Sequence, residues 1–232
     1  MIVFKNYMHN KLLRLVRSYK FIPPFIDVGC GTGEILQLLN KRGIEGIDFS
    51  ENAVKICRQK GLKARRANFM KNKKKYNSVI CVDVIEHIKD DVAFINALNR
   101  SLNKNGKLFL LTPSGKMMKD DVSYGHYRRY QKDVLAERLE AGGFQVEHVE
   151  MFGYPFLHYA RVFMNAVIKE FPPENMEAST KKSSYSSAFT GRFLRMSEFL
   201  NSKKLFMKFM DLQDVFSGGS KGLAVIVIAK KL

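Results

Sequence analysis

The sequence predicts an α/β protein in which helices cover both faces of a parallel sheet. Two observations support this prediction: strand-sized apolar runs alternate with segments of helical periodicity, and glycines separate one from the next. A chain of 232 residues, 46% of them hydrophobic, is long enough to bury one such core. Its three cysteines are sparse and odd in number, which excludes a disulfide framework and indicates a reducing compartment.

Each predicted strand is an apolar run bounded by glycine, proline or polar residues. The predicted strands are 25–28, 44–48, 62–66, 76–82, 107–112, 144–151 and 222–230. The predicted helices lie between them and end at glycine: one with Ile35 and Leu39 that ends at Gly43, one from Ser50 to Gln59 that closes at Gly61, one with Val92, Ile95, Leu98 and Leu102 that ends at Asn105-Gly106, and one with Leu135 and Leu139 that ends at Gly142-Gly143. Because strands and helices alternate, the crossovers are right-handed and the strands parallel.

A long segment separates the last two predicted strands. It spans roughly seventy residues, far more than an ordinary loop needs. Apolar residues recur in it at helical spacing, from Phe156 to Phe171 and from Phe193 to Leu200. We interpret 152–221 as a helical insertion in one domain over 25–232, whose core comprises 25–151 and 222–232. A basic helix over 1–24 precedes that domain.

The chain is strongly basic, with 39 Lys+Arg against 22 Asp+Glu and a net charge of +17. Ten basic residues and no acid lie between Asn52 and Val82. This window suits RNA, anionic lipid or an acidic substrate, but the excess of lysine and the lack of interleaved aromatics favour a solvated surface. No apolar run reaches the ~20 residues of a membrane span, and basic residues within 12–17 interrupt any export signal, so we expect a cytoplasmic protein.

The most informative segment is Asp27-Val28-Gly29-Cys30-Gly31-Thr32-Gly33-Glu34, a strand that runs into glycines opening a helix. Such a turn lets the backbone approach a nucleotide-type ligand and offers it unpaired amides. A dinucleotide fingerprint would need glycine where Glu34 stands, and a carboxylate beside a pyrophosphate is repulsive. Asp48, at the end of the next strand, can accept hydrogen bonds from both hydroxyls of a ribose. The pattern therefore favours a nucleoside ligand without phosphates.

Three motifs carry a resemblance to a known family: Asp27-Val-Gly-Cys-Gly-Thr-Gly, Gly46-Ile-Asp48-Phe-Ser and Asp83-Val-Ile-Glu-His-Ile. They resemble the class I S-adenosylmethionine (SAM)-dependent methyltransferases, especially the branch that includes the ubiquinone-biosynthesis O-methyltransferases. The resemblance covers about 25–151 and the final strand. It implies a Rossmann-like, seven-stranded, mostly parallel sheet whose last strand is antiparallel.

The same resemblance implies the residues that bind the cofactor SAM. Gly29, Gly31 and Gly33 would hold its methionine part, Asp48 its ribose and Phe49 one face of its adenine. Asn68 stands where the family usually has an aspartate near the adenine amine. The full set of expected cofactor residues is Asp27, Gly29, Cys30, Gly31, Gly33, Asp48, Phe49, Asn68, Phe69 and Asp83.

The fourth strand is followed by Asp83-Val84-Ile85-Glu86 where nitrogen-methylating relatives have an Asn/Asp-Pro-Pro-aromatic motif, which favours oxygen as the acceptor atom. An oxygen acceptor must lose a proton, which requires a base or a metal ion. The candidate catalytic residues are Asp83, Glu86, His87 and His126.

These four residues can also hold a divalent metal such as magnesium, as in the small-RNA 3′-end methyltransferases that they resemble. Alternatively, Glu86 and His87 form a structural junction and His126 is a base or a loop hydrogen-bonder. Arg128 and Arg129 can bind an anionic group of the substrate or pair with Asp120 and Asp121.

The first functional hypothesis is methyl transfer to an oxygen of a small, lipid-linked or sugar-linked metabolite. The alternatives are an RNA-end ribose methyltransferase that uses a divalent metal, and a regulatory protein that binds SAM without turnover. A small molecule is the expected partner. Nucleic acid is less favoured, and the insertion offers a possible peripheral contact with a membrane.

Overall fold

A computed structural model describes residues 2–155, 158, 159, 162, 215 and 219–232. Its strands are β1 (Phe25–Val28), β2 (Ile44–Asp48), β3 (Ala64–Arg66), β4 (Tyr76–Val82), β5 (Leu102–Pro113), β6 (Phe144–Phe152) and β7 (Ala224–Lys231). Its helices are α1 (Ile2–Ser18), α2 (Glu34–Leu39), α3 (Glu51–Gln59), α4 (Asp91–Arg100), α5 (Lys119–Ser123) and α6 (Lys132–Ala141).

The seven strands form one sheet in the order β3-β2-β1-β4-β5-β7-β6. The first five strands pair in parallel, and β7 runs antiparallel to both β5 and β6. The prediction of a mostly parallel sheet with an antiparallel last strand is therefore confirmed. β1 connects to β2 on one side while β4 continues on its other side, so the strand order reverses between β1 and β4. Ligands of such sheets bind at this reversal, beyond the carboxyl ends of the strands.

Helices cover both faces of the sheet, as the alternation of elements predicts. On one face, Leu12 of α1 and Leu36 of α2 belong to a buried cluster with Phe109 of β5. On the other, Phe94 of α4 and Leu135 of α6 join a second cluster. The local signals at several boundaries are also confirmed: Ser50 Oγ accepts the Ala53 amide at the start of α3, and Gly43 adopts a left-handed conformation before β2.

The N-terminal helix α1 packs into the core. The ring of Tyr7 stacks on Phe152 of β6 with 5.0 Å between centroids. Lys11 Nζ lies 3.0 Å from Glu150 Oε2, and both side chains are buried. Removing either partner of a buried ion pair leaves a costly uncompensated charge, so α1 is held to the sheet by more than apolar contact.

The boundary between α4 and β5 differs from the prediction. The helix ends at Arg100, not at Asn105-Gly106, and the strand begins at Leu102. Leu102 continues the apolar period of the helix, but its side chain is fully buried and it pairs with Tyr76 of β4. Val92, predicted on the inner face, is 57% exposed. A sheet partner 26 residues earlier in the chain therefore overrides the local helical period.

Three smaller differences concern lengths and a short helix. β3 is limited to Ala64–Arg66, β7 covers Ala224–Lys231, and α5 interrupts the segment predicted as a polar loop up to Tyr130. The predicted insertion over 152–221 lies mostly outside the described residues. Within the residues that the structure describes, no helix has both the length and the apolar character needed to cross a membrane.

Candidate functional site

The glycine turn between β1 and α2 lies at the reversal of strand order. Gly29, Gly31 and Gly33 all have positive φ, at 71°, 49° and 87°. A Cβ on Gly29 would lie 2.4 Å from Val84 Cγ2, so glycine permits the turn after β1 to approach the turn after β4. A Cβ on Gly31 would meet no atom of the described residues within 4 Å. Gly31 thus faces open space, which a ligand can occupy.

Asp48, the last residue of β2, ties this turn to the neighbouring strand. Its Oδ2 accepts the Gly31 amide at 2.9 Å, and its Oδ1 accepts the Ser50 amide at 2.8 Å. Each carboxylate oxygen keeps a further lone pair, which can accept from a ribose hydroxyl. Phe49 follows directly and is 55% exposed, which leaves its ring available to an adenine.

Two other predicted cofactor residues lie beneath the turn. The Asp27 carboxyl is buried, and burial together with the nearby Asp48 raises its pKa well above the ordinary range. Cys30 is buried, and its Sγ would be 2.6 Å from a Cβ placed on Gly46 of β2. Cys57 of α3, which the sequence did not single out for the site, donates to the Gly31 carbonyl at 3.2 Å. These buried side chains pack against the glycine turn on the side of the protein interior.

The segment that follows β3 contributes two predicted residues in different settings. Asn68 is exposed, and its Oδ1 accepts the Met70 amide at 2.9 Å. Phe69 lies in the core, where its ring meets the edge of Phe94 with 5.9 Å between centroids. The structure therefore leaves Asn68 near the surface, while the Phe69 ring is engaged inside the protein.

Carboxyl groups concentrate at the carboxyl ends of β1, β2 and β4, although the chain carries a net charge of +17. Asp48 raises the pKa of Asp27, and Asp83 adds to burial in raising the pKa of Glu86, so these groups lie near enough to repel one another. Because burial disfavours the charge on Asp27 and Glu86, Asp48 and Asp83 are the acids that would attract a cationic ligand and repel a pyrophosphate here. The electrostatics agree with the expectation of a phosphate-free ligand.

A second group of side chains adjoins the crevice after β4. Asp83 adopts a positive φ of 53°, and a 310 turn follows at Ile85–His87. Potential ligand atoms of Glu86, His87 and His126 all lie within 4.8 Å of one another. Three of the four predicted catalytic residues thus come together, and Asp83 does not belong to this cluster of three.

Burial sets the charge of this cluster. Glu86 is fully buried, and its Oε2 accepts from Thr112 Oγ1 at 2.9 Å. Its Oε1 has no hydrogen-bond partner in the part of the chain that the structure describes. Burial and Asp83 raise the pKa of Glu86 well above its ordinary range. Burial and His126 lower the pKa of His87 to about 4, so this imidazole is neutral at pH 7. The two histidine rings meet edge to face with 4.7 Å between centroids.

The loop between β5 and α6 brings His126 to the cluster. The Tyr127 amide donates to the Glu86 carbonyl at 2.8 Å, and the His126 amide donates to the Asp121 carbonyl at 3.0 Å. His126 Nδ1 lies 2.9 Å from Asp121 Oδ1, and Arg129 Nε lies 2.9 Å from Asp121 Oδ2.

The two arginines predicted for substrate binding both have acidic partners. The side chain of Arg129 is 2% exposed beside Asp121, and Arg128 Nη1 lies 2.7 Å from Asp91 Oδ2. This geometry matches the alternative in which they pair with acids of the protein. Asp121 and Thr112 were not predicted as site residues. The sequence analysis named Asp121 as a possible partner of the two arginines, and the Arg129 pair agrees with that, but it did not link Asp121 to His126.

The cluster fits a divalent metal by its own chemistry. Two imidazoles and a carboxyl oxygen that no other described residue bonds form a suitable donor set. In metal sites, histidines commonly use their second ring nitrogen to bond a carboxylate or a backbone carbonyl. Asp121 occupies that position for His126, and a hydrogen bond to the Gly125 backbone does so for His87. The same arrangement also serves proton abstraction by a neutral imidazole.

Comparison with known proteins identifies the family of this chain. A protein-family profile described as "Methyltransferase domain" matches residues 7–149, more than half of the chain. The chain belongs to this methyltransferase family. Its seven-stranded sheet is that of the class I SAM-dependent methyltransferases, and family membership supports SAM as the cofactor.

Individual relatives of this methyltransferase domain are distant. The chain is 27% identical over 99 residues to the ubiquinone biosynthesis O-methyltransferase of Idiomarina loihiensis, a match that covers 38% of this chain and 41% of that protein. The chain thus matches less than half the length of this curated relative.

Solved structures share the fold. A SAM-dependent methyltransferase from Archaeoglobus fulgidus superimposes with a TM-score of 0.59 at 17% identity, over 98% of this chain and 94% of that one. Magnesium protoporphyrin IX methyltransferase from Synechocystis, solved with bound S-adenosylhomocysteine (SAH), gives a TM-score of 0.55 at 19% identity, over 67% of this chain and 80% of that one.

The open space at Gly31 yields a test of the crevice. Gly31→Ala is expected to weaken SAM binding about tenfold or more, because the added methyl occupies the space a ligand would fill. The left-handed backbone adds a cost of roughly 1–2 kcal/mol, equivalent to a few degrees in Tm. In the comparison variant Gly33→Ala, the new Cβ lies 2.6 Å from Leu62 Cδ1 inside the protein, so the loss in Tm should be larger. Titration calorimetry measures the affinity for SAM and thermal melts measure the Tm of both variants. Wild-type affinity in Gly31→Ala would contradict the assignment of this crevice to SAM.

Proposed function

We propose that this chain transfers the methyl group of SAM to an oxygen atom of a small acceptor. The observation that carries the proposal is the proximity of two features. The glycine turn with Asp48 suits a nucleoside without phosphates, and the Glu86–His87–His126 cluster adjoins it after the neighbouring strand. The named relative in ubiquinone biosynthesis acts on oxygen, which supports the choice of acceptor atom.

The reaction needs little covalent chemistry from the protein. The acceptor oxygen displaces the sulfonium in line, the carbon–sulfur bond breaks, and SAH leaves with the electron pair. The acceptor also loses its proton to a base. His87 and His126 are the candidate bases, since burial keeps His87 neutral at pH 7. Asp48 and the turn around Gly31 would position the donor, while the acceptor would enter beside His126.

A divalent metal is the alternative means of activating the acceptor. Glu86, His87 and His126 would hold it, and it would lower the pKa of an acceptor hydroxyl bound beside it. Asp83, predicted as a fourth ligand, lies outside this set of three. This arrangement is also the one that the RNA-end hypothesis requires, with the basic window 52–82 as the RNA-binding surface.

The proposal is tested in two steps. Calorimetric titration with SAM, SAH and NAD should give binding of the first two and none of NAD. Radiolabelled SAM is then offered with a panel of phenols, catechols, carboxylic acids and a short RNA, with magnesium or with a chelator. We expect label in a small hydroxyl or carboxyl acceptor. Label in the RNA alone, with binding that falls steeply as salt rises, would favour the RNA-end alternative. A regulatory role would be favoured if the protein binds SAM but methylates none of these acceptors, and if substitution of Glu86 or His126 leaves its affinity for SAM unchanged.

A further inference from the structure

Asp121 is a buried acid at the centre of the loop that carries His126. It lies in α5, its side chain has no exposed surface, and both its oxygens are engaged. Oδ1 lies 2.9 Å from His126 Nδ1. Oδ2 accepts the Met118 amide at 2.7 Å and lies 2.9 Å from Arg129 Nε. The side chains of His126 and Arg129 are only 6% and 2% exposed.

The two oxygens of Asp121 therefore have different partners. The hydrogen bond from the Met118 amide and the ion pair with the Arg129 guanidinium together fix the position of Oδ2. The same guanidinium donates to the Ser114 carbonyl at the end of β5, which anchors the carboxylate to the sheet. Oδ1 is thereby presented to the histidine ring. A carboxylate can only accept a hydrogen bond, so Nδ1 of His126 must carry the hydrogen.

We propose that Asp121 is a positioning residue that holds the imidazole of His126 in its Nδ1–H tautomer. The lone pair of the imidazole is then on Nε2, the nitrogen that Asp121 does not occupy. Either role considered for His126, proton abstraction or metal ligation, requires such a lone pair. The use of Nε2 rests on the proposed function, whereas the tautomer itself depends only on the contacts of Asp121.

The direct test is 15N nuclear magnetic resonance of the histidine rings in the wild-type protein. Spectra are recorded at pH 8.5 with a chelator, and His126→Gln assigns the signals of His126. We expect the ring hydrogen on Nδ1 and an unprotonated Nε2. A hydrogen on Nε2 would overturn the proposal. This measurement needs no substituted Asp121 and no acceptor.

The substitution Asp121→Asn tests the consequence. Its amide oxygen should take the Oδ2 position, because the Met118 amide donates there and the cationic Arg129 guanidinium lies 2.9 Å away. Its NH2 group would then face His126 Nδ1. Nδ1 must accept from that group, so the hydrogen moves to Nε2 and the lone pair there is lost. We expect the inverted tautomer, retained SAH binding, and a methyl-transfer rate lower by on the order of 10²- to 10⁴-fold.

The matched control is Asp133→Asn, the same chemical change at an exposed position of α6. It should leave the His126 signals and the rate unchanged. An unaltered tautomer in Asp121→Asn, or an inverted tautomer with full activity, would overturn the positioning role. If the wild-type protein methylates nothing but has the Nδ1–H tautomer, the proposed function fails and the assignment of Asp121 stands.

Discussion

Asp48→Ala is expected to weaken binding of both SAM and SAH by on the order of 10²-fold or more. Two effects combine. The ribose loses a charged acceptor, and hydrogen bonds to charged groups contribute about 1.5–3 kcal/mol each. The Gly31 and Ser50 amides also lose their acceptor, so the glycine turn is no longer tied to β2. Each 1.4 kcal/mol is about tenfold in affinity. Titration calorimetry with SAM and SAH measures the loss.

The control for Asp48→Ala is Glu51→Gln, which removes a carboxylate three residues later. Glu51 is exposed and pairs with Arg66 on the surface of α3, so its loss should change neither affinity nor stability by more than a few tenths of a kcal/mol. Urea unfolding without ligand separates damage to the turn from loss of ribose contacts. Folded Asp48→Ala with wild-type affinity for SAM would show that this crevice does not bind the ribose.

Glu86→Gln is expected to stabilise the protein at pH 8 while impairing methyl transfer. Burial raises the folded-state pKa of Glu86 above its unfolded value, so the stability it contributes is full below the unfolded pKa and is lost as pH rises towards the folded one. Glutamine has a similar shape and no charge. With a chelator present, wild type and variant should therefore have similar free energies of unfolding near pH 4. Between that pH and the folded-state pKa of Glu86, the variant should gain about 1.4 kcal/mol per pH unit relative to wild type, and the difference should then level off.

Two further measurements on Glu86→Gln, its methyl-transfer rate and the effect of magnesium on its Tm, complete the test of Glu86. If its carboxylate takes part in transfer, the rate should fall by on the order of 10²-fold in Glu86→Gln. If the cluster holds a divalent metal, millimolar magnesium should raise the Tm of wild type and leave that of the variant unchanged, since a ligand stabilises only the form that binds it. Glu137→Gln, on the exposed face of α6, is the matched control for both measurements. A variant as active as wild type would remove Glu86 from the mechanism.

The sequence predicted the elements whose boundaries depend on local chemistry. Ser50 caps a helix with its own side chain, and the left-handed turns at Gly43 and Gly61 need no distant partner, so each was identifiable by residue type. The end of α4 could not be identified in this way. Leu102 fits a helical period, and only its pairing with Tyr76 of another strand places it in the sheet.

In the candidate site, too, the sequence predicted the residues set by local chemistry and missed those set by tertiary contacts. Because the glycine turn and Asp48 follow strands at short spacing, the sequence alone located them. The partners of His126 depend on how the loop before α6 folds back onto the turn at Ile85–His87, and no local pattern marks Asp121 as buried. Phe69 illustrates the converse: it is adjacent to an exposed Asn68, yet its ring lies in the core.

The basic window 52–82 includes the outer strand of the sheet, where its positive charge can matter even if it binds no ligand. β3 is an outer strand of only three residues, Ala64–Arg66, paired on one side with β2. Unpaired strand edges invite self-association, and short length and positive side chains oppose it. Lys63 and Arg66 are exposed beside this edge, and Lys55 is exposed on neighbouring α3. The positive charges on two copies of the chain would repel each other at this edge. Such repulsion would oppose edge-to-edge pairing of β3 and thus aggregation.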